Sequence, residues 1–228
     1  MHGAWHGGWC WRRVADRLQK AGHRVFAPTL TGLGERAHLL TPAVDLDTHV
    51  EDIVRVLESE ELENVVLAGH SYAGLVISGV AARAPRRLRQ LVYLDALLVE
   101  SGQSWAEAFP PEVTEARRKS AMVTNGVKTL PAPDPKIYGF ADPADDEWVR
   151  RRLVPHPYAP FEQKVKWGCA LGNGLPKAYV DCTSPALTAL AAMKPRHRSG
   201  WDFIELATGH DLMVSAPEET ARILLGYA

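Results

Sequence analysis

Residues 65–79, VVLAGHSYAGLVISG, decide how the chain is read. Val65 to Ala68 form a continuous apolar run, the pattern of a strand covered on both faces of a parallel sheet. The small residues Gly69, Ala73 and Gly74 then bracket Ser71 before an apolar stretch that predicts a helix closing at Pro85. Gly69-His70-Ser71-Tyr72-Ala73 fits the nucleophile elbow G-x-S-x-G with Ala73 in the last position. A turn this sharp needs small neighbours so that strand and helix can pass closely, and it leaves the serine hydroxyl above the sheet edge. Ser71 is therefore the candidate nucleophile. Its hydroxyl needs a base to take the proton and an acid to orient that base.

Of the nine histidines, His210 alone follows the last predicted strand, in ELATGHDLMVSAP (residues 205–217), where a loop can hang over the elbow. Taken singly, Ser71 is equally well a helix cap and His210 a loop residue. Strand context and chain order together assign both to catalysis. Two carboxylates compete for the third role, because Asp95 ends the strand LVYLD and Asp181 ends the strand AYVD.

The rest of the chain alternates strands and helices. Val14 and Leu18 among charges predict an amphipathic helix over 11–21, HRVFAPTL (23–30) a short strand, and Val50, Ile53, Val54 and Leu57 a helix over 47–59. Buried-strand runs recur at 89–97, 177–182 and 201–210, and a terminal helix follows from Ala216. The fold class is α/β, a doubly wound and mostly parallel sheet. Residues 1–98 and 176–228 form the core. Residues 99–175 break the alternation and accumulate aromatics, which predicts a mainly helical cap insertion over one sheet edge.

With 228 residues, 46% hydrophobic, 23% charged and a net charge of −1, the chain suits one globular domain with an insertion. That balance argues against nucleic acid and anionic membranes as partners. Three scattered cysteines, no apolar run of membrane-spanning length and no leader-like segment point to the cytoplasm. No cofactor is expected and no metal site either, since His2 and His6 are four apart on a Gly-rich loop without a carboxylate or Cys partner.

Four segments together resemble the α/β-hydrolase superfamily, and within it the small-cap branch of bacterial esterases, plant methylesterases and hydroxynitrile lyases. They are HGAWHGGWCW (2–11), TLTGLGER (29–36), AGHSYAG (68–74) and TGHDLMVSAP (208–217). The resemblance implies a Ser-acid-His order and an oxyanion hole from the backbone N–H groups of Ala4 and Tyr72. Many members carry the acid near the later strand, which would select Asp181, but in a loop rather than on the strand. Cys182-Thr183-Ser184-Pro185 holds no carboxylate, so Asp95 is preferred and Asp181 is the alternative. A lyase of this branch has a hydroxylated residue at Gly3, an acidic one at His70 and a lysine at Asp211. All three are absent, so the resemblance favours hydrolysis of an ester, carbamate or amide over cyanohydrin cleavage. A non-catalytic receptor of the same fold is the further alternative.

The aromatics predict a small hydrophobic or aromatic ester-type substrate, with Trp5, Tyr72, Trp105, Phe109 and Phe161 as candidate walls. In the resembling proteins the first loop is preceded by a central apolar strand ending before the His. Here Met1 alone stands there, which predicts a late start and a missing first core strand.

Overall fold

The computed structural model describes residues 1–124 and 126–228. In chain order, α1 (Arg12–Lys20) and α2 (Leu46–Ser59) precede β1 (Val65–His70), α3 (Ala73–Arg83) and β2 (Leu88–Leu94). The cap segment holds α4 (Trp105–Ala108), α5 (Pro111–Ser120), β3 (Met122–Thr124), β4 (Val127–Leu130), α6 (Pro143–Arg150), β5 (His156–Pro157) and α7 (Ala159–Glu162). The core resumes with β6 (Lys177–Cys182), β7 (Trp201–Leu206), α8 (Leu212–Ser215) and α9 (Pro217–Leu225).

The main sheet has the order β1-β2-β6-β7 with every pairing parallel, aligning Ala68 with Val92, Val92 with Ala178 and Ala178 with Asp202. Because both faces are covered, the strands read as unbroken apolar runs while their side chains still alternate. Leu91, Tyr93 and Tyr179 join the core that includes α2, α3 and the cap, whereas Val92, Leu94, Ala178 and Val180 join the core of α1, α8 and α9. The helix α2 begins at a capping box in which the Asp45 carboxylate accepts the Thr48 N–H at 2.8 Å, and it buries Leu46, Val50, Ile53, Val54 and Leu57.

Two expectations change. Residues 23–30 take no regular secondary structure and belong to no sheet among the described residues. A cavity of about 660 Å³, lined among others by Val25, Phe26, Ala27, Val65 and Leu67, lies between them and β1. Beside β1 in that direction lies Met1, whose amine donates to the Ala68 carbonyl and whose carbonyl accepts the His70 N–H. The cap, besides its helices, contains a three-stranded antiparallel sheet of order β3-β4-β5. Its strands are two to four residues long, too short for period-two alternation to register in the sequence. Among the described residues, no helix is long and apolar enough to cross a membrane.

Candidate active site

Ser71 occupies the turn between β1 and α3 with φ of +54°, in the left-handed region. Backbone bonds fix it there: its N–H donates to the Leu94 carbonyl at 3.2 Å, and its carbonyl accepts the Leu97 N–H at 2.9 Å. A non-glycine residue pays about 1–3 kcal/mol for such a conformation, which persists only where the surroundings over-determine it. Trp5 (φ +66°) in the first loop and Asp95 (φ +42°) just after β2 are held likewise. Close packing explains the small residues nearby. A Cβ on Gly74 would lie 2.2 Å from the Leu97 carbonyl oxygen, and one on Gly3 would lie 2.9 Å from both His70 Nδ1 and Ser71 Cβ.

Asp95 and His210 meet. The fully buried Asp95 accepts from His210 Nδ1 at 2.6 Å through Oδ2, and its Oδ1 lies 3.3 Å from Lys194 Nζ. The backbone of Asp95 is tied to β6 by its N–H to the Val180 carbonyl, 2.7 Å. Asp181, the alternative acid, is turned to Lys194 and to Arg196 Nη2 at 2.8 Å and is not brought to His210. Burial pushes the Lys194 amine down, but the two carboxylates outweigh it and hold the pKa above its ordinary value.

The His210 loop is anchored on both sides of its peptide. The N–H donates to the Tyr138 carbonyl at 2.9 Å, and the carbonyl accepts from His70 Nε2 at 3.0 Å. His70, next to Ser71 in the chain, also packs at a tilt of 49° against His210 with ring centroids 4.5 Å apart, which sets the Ser71 turn beside the His210 loop. Burial drives the His70 pKa well down, so the ring is neutral with its proton on Nε2.

Behind this pair sits a second one that the sequence did not disclose. His6 Nε2 lies 2.9 Å from Asp211 Oδ2, and His6 Nδ1 lies 2.7 Å from the Ala4 carbonyl. Both partners are acceptors, so both ring nitrogens carry protons. Burial opposes the charge, but Asp211 and the carbonyl outweigh it and raise the His6 pKa. Burial likewise pushes the Asp211 carboxyl up, and the His6 charge and hydrogen bond overcome that and hold it below its ordinary value. Among the described residues, one group could gather metal ligands, His70, His210 and Asp211, with ligand atoms within 4.8 Å. In each of the three residues one of these atoms, His70 Nε2, His210 Nδ1 or Asp211 Oδ2, is engaged in the hydrogen bonds described above, and His70 Nδ1 and Asp211 Oδ1 are buried without a partner among the described residues.

The predicted wall residues converge. Trp105 packs against Tyr72 (5.4 Å between centroids), Phe161 (5.2 Å), Trp5 (6.2 Å) and Phe109 (6.4 Å), and all five are buried. Trp5 Nε1 donates to the Leu130 carbonyl at 3.2 Å and Val154 N–H to the Trp5 carbonyl at 3.0 Å, joining the first loop to the cap. His156 of β5, absent from the sequence-based site, enters this cluster 4.6 Å from Tyr72.

Comparison with known proteins agrees with this architecture. The model of the "Alpha/beta hydrolase family" matches residues 1–223. The chain is 40% identical to the "Carbendazim hydrolyzing esterase" of Nocardioides sp. (strain SG-4G), over 98% of this chain and 96% of that protein. It is 30% identical to "Methylesterase 10" of Arabidopsis thaliana over 93% of this chain, spanning 66% of that protein's length. Among solved structures, an extracellular alpha/beta-hydrolase from a Paenibacillus species superposes with a TM-score of 0.86 at 23% identity, covering 100% of this chain and 97% of that one. The pyrethroid hydrolase of Sphingobium faniae JZ-2 superposes with a TM-score of 0.75 at 21% identity, covering 99% and 94%. By its elbow, its sheet and these matches, the chain belongs to the alpha/beta hydrolase family, on its esterase side.

Proposed function

We propose that the protein is a serine hydrolase that cleaves small hydrophobic or aromatic carboxylic esters through an acyl-enzyme, with Ser71 as nucleophile, His210 as base and Asp95 as acid. The observation that carries this reading is the 2.6 Å contact of His210 Nδ1 with buried Asp95, made by a loop packed onto the Ser71 turn. Ser71 Oγ attacks the ester carbonyl carbon and its proton passes to His210 Nε2. Asp95 stabilises the imidazolium, and the N–H groups of Ala4 and Tyr72 receive the oxyanion. Collapse expels the alkoxide, which takes the proton from His210. A water molecule then attacks the acyl group with His210 again as base, releasing the acid and restoring Ser71.

Carbamates are a second substrate class, supported by the 40% identity to an esterase named for carbendazim hydrolysis. Cyanohydrin cleavage is disfavoured by two features. A side chain at Gly3 would collide with His70 and Ser71, and Asp211 follows the base and is clamped to His6.

The test is hydrolysis of p-nitrophenyl acetate and butyrate by wild type, Ser71→Ala and His210→Ala, with fluorophosphonate labelling of Ser71. Turnover is expected to vanish in both variants; unchanged rates in either would sink the assignment. Ligand binding without labelling would favour the receptor reading.

A further inference from the structure

The aromatic cluster predicted to wall the substrate pocket is not purely apolar, because Arg117 of α5 lies against its rings. Its guanidinium carbon lies 4.3 Å from the centroid of Phe109, 5.1 Å from Trp105 and 5.9 Å from both Trp5 and Phe161. Four rings attract a cation by their faces but cannot accept its N–H groups in the plane of the guanidinium. Among the described residues, no carboxylate lies within ion-pair distance of Arg117, and its Nη1 is buried without a hydrogen-bond partner. The contrast with the next residue is direct, since Arg118 points outward and holds Glu162 through two bonds, 2.8 and 3.0 Å. Burial pulls the Arg117 pKa down to about 10, so the group remains a cation at neutral pH.

Other buried polar atoms nearby also lack partners. Trp105 Nε1, Tyr138 Oη and both ring nitrogens of His156 are buried with no hydrogen-bond partner among the described residues. Trp105 and His156 pack against Tyr72, the chain neighbour of Ser71, and the Tyr138 ring lies 5.8 Å from His210. Buried donors without acceptors are unfavourable until a ligand supplies the acceptors, and a site with such donors discriminates strongly for a ligand that does. Tryptophan and arginine donate only, so the complementary ligand is rich in acceptors, and the uncompensated charge of Arg117 favours an anion.

We propose that Arg117 is the specificity-determining residue of this pocket, selecting aromatic esters that carry a carboxylate on the ring, away from the scissile bond. The ring lies among Trp5, Trp105, Phe109 and Phe161 while the carboxylate accepts from the guanidinium. The selectivity for esters rests on the hydrolase reading above, whereas the anion site itself does not.

Two measurements separate them. The ratio of kcat/KM for 4-acetoxybenzoate to that for 4-acetoxytoluene, its uncharged counterpart, is expected to fall about tenfold in Arg117→Gln and to recover partly in Arg117→Lys. A ratio is insensitive to the fraction of protein that folds, and an unchanged ratio overturns the proposal. Independently of turnover, benzoate is expected to quench the fluorescence of Ser71→Ala protein at concentrations about tenfold lower than benzamide does. Equal binding of the two overturns the anion site. Fluorophosphonate labelling of Ser71 in the wild type reports separately on the hydrolase reading, so labelling with no charge preference refutes the role of Arg117 alone.

Discussion

Two buried histidine–carboxylate pairs lie within one network, and they differ in what the second ring nitrogen does. In the first, His210 gives Nδ1 to Asp95 at 2.6 Å, while its Nε2 makes no hydrogen bond among the described residues. In the second, His6 gives Nε2 to Asp211 at 2.9 Å and Nδ1 to the Ala4 carbonyl at 2.7 Å. A ring with one free nitrogen can exchange a proton with a substrate or nucleophile, whereas a ring with both engaged cannot. The His6 pair is a clamp, joining the loop of Ala4 to the loop of His210 by a buried charge on each side. Residue types alone do not distinguish the proposed base from the clamp; the partner of the second nitrogen is what separates the two rings.

Substitutions at the two carboxylates probe that comparison most sharply. Asp95→Asn is expected to lower kcat on p-nitrophenyl acetate by about 10⁴-fold, because the amide presents the wrong hydrogen-bonding group to His210. A loss of that size at Asp181→Asn instead would exchange the roles of the two strand-end acids.

Asp211→Asn is expected to act first on stability. Breaking a fully buried ion pair leaves an unpaired charge on His6 and costs about 3 kcal/mol, a fall in Tm of roughly 6–12 °C for a chain of this size. Scanning calorimetry measures it. A kcat loss matching that of Asp95→Asn with Tm unchanged would show that Asp211 acts in the chemistry and not as a clamp.

The clamp also has a pH signature. The folded pKa of His6 lies above its ordinary 6.5, so its contribution is fully present below that pH and is lost as pH rises through the folded value. The stability gap between wild type and His6→Gln, followed by chemical denaturation from about pH 5.5 to 9, should therefore be widest at the acid end and narrow toward the alkaline end. A gap that widens with pH would contradict a cationic His6. The smallest effect is expected at Asp181→Asn, where turnover should stay within about threefold of wild type while Lys194 keeps Asp95 as a partner.

Much of this was legible in the chain. VVLAGHSYAG announced a buried strand, a tight turn and a helix, and β1 and α3 lie there with Ser71 left-handed between them. Short-range physics controls such a feature, since apolar runs and small residues act on neighbours within a few positions. The strand predicted at 23–30 failed for the complementary reason: strand propensity needs a neighbour to pair with, and a cavity lies there. Lys194, His156 and Arg117 carried no signal, because each lies on a loop, a two-residue strand or a charge-dense helix whose sequence does not say what it faces.

The sequence by itself determined the α/β class, the elbow and the chemistry available to Ser71, His210 and two candidate acids, because these depend on local periodicity and on residue type. Only the tertiary structure decided that His210 meets Asp95 while Asp181 is held by Lys194 and Arg196, that His6 and Asp211 form a clamp, and that Arg117 stands unpaired among aromatic rings. Those outcomes depend on distances between residues up to 205 positions apart in the chain, set by how the strands order in the sheet and how the cap folds over it.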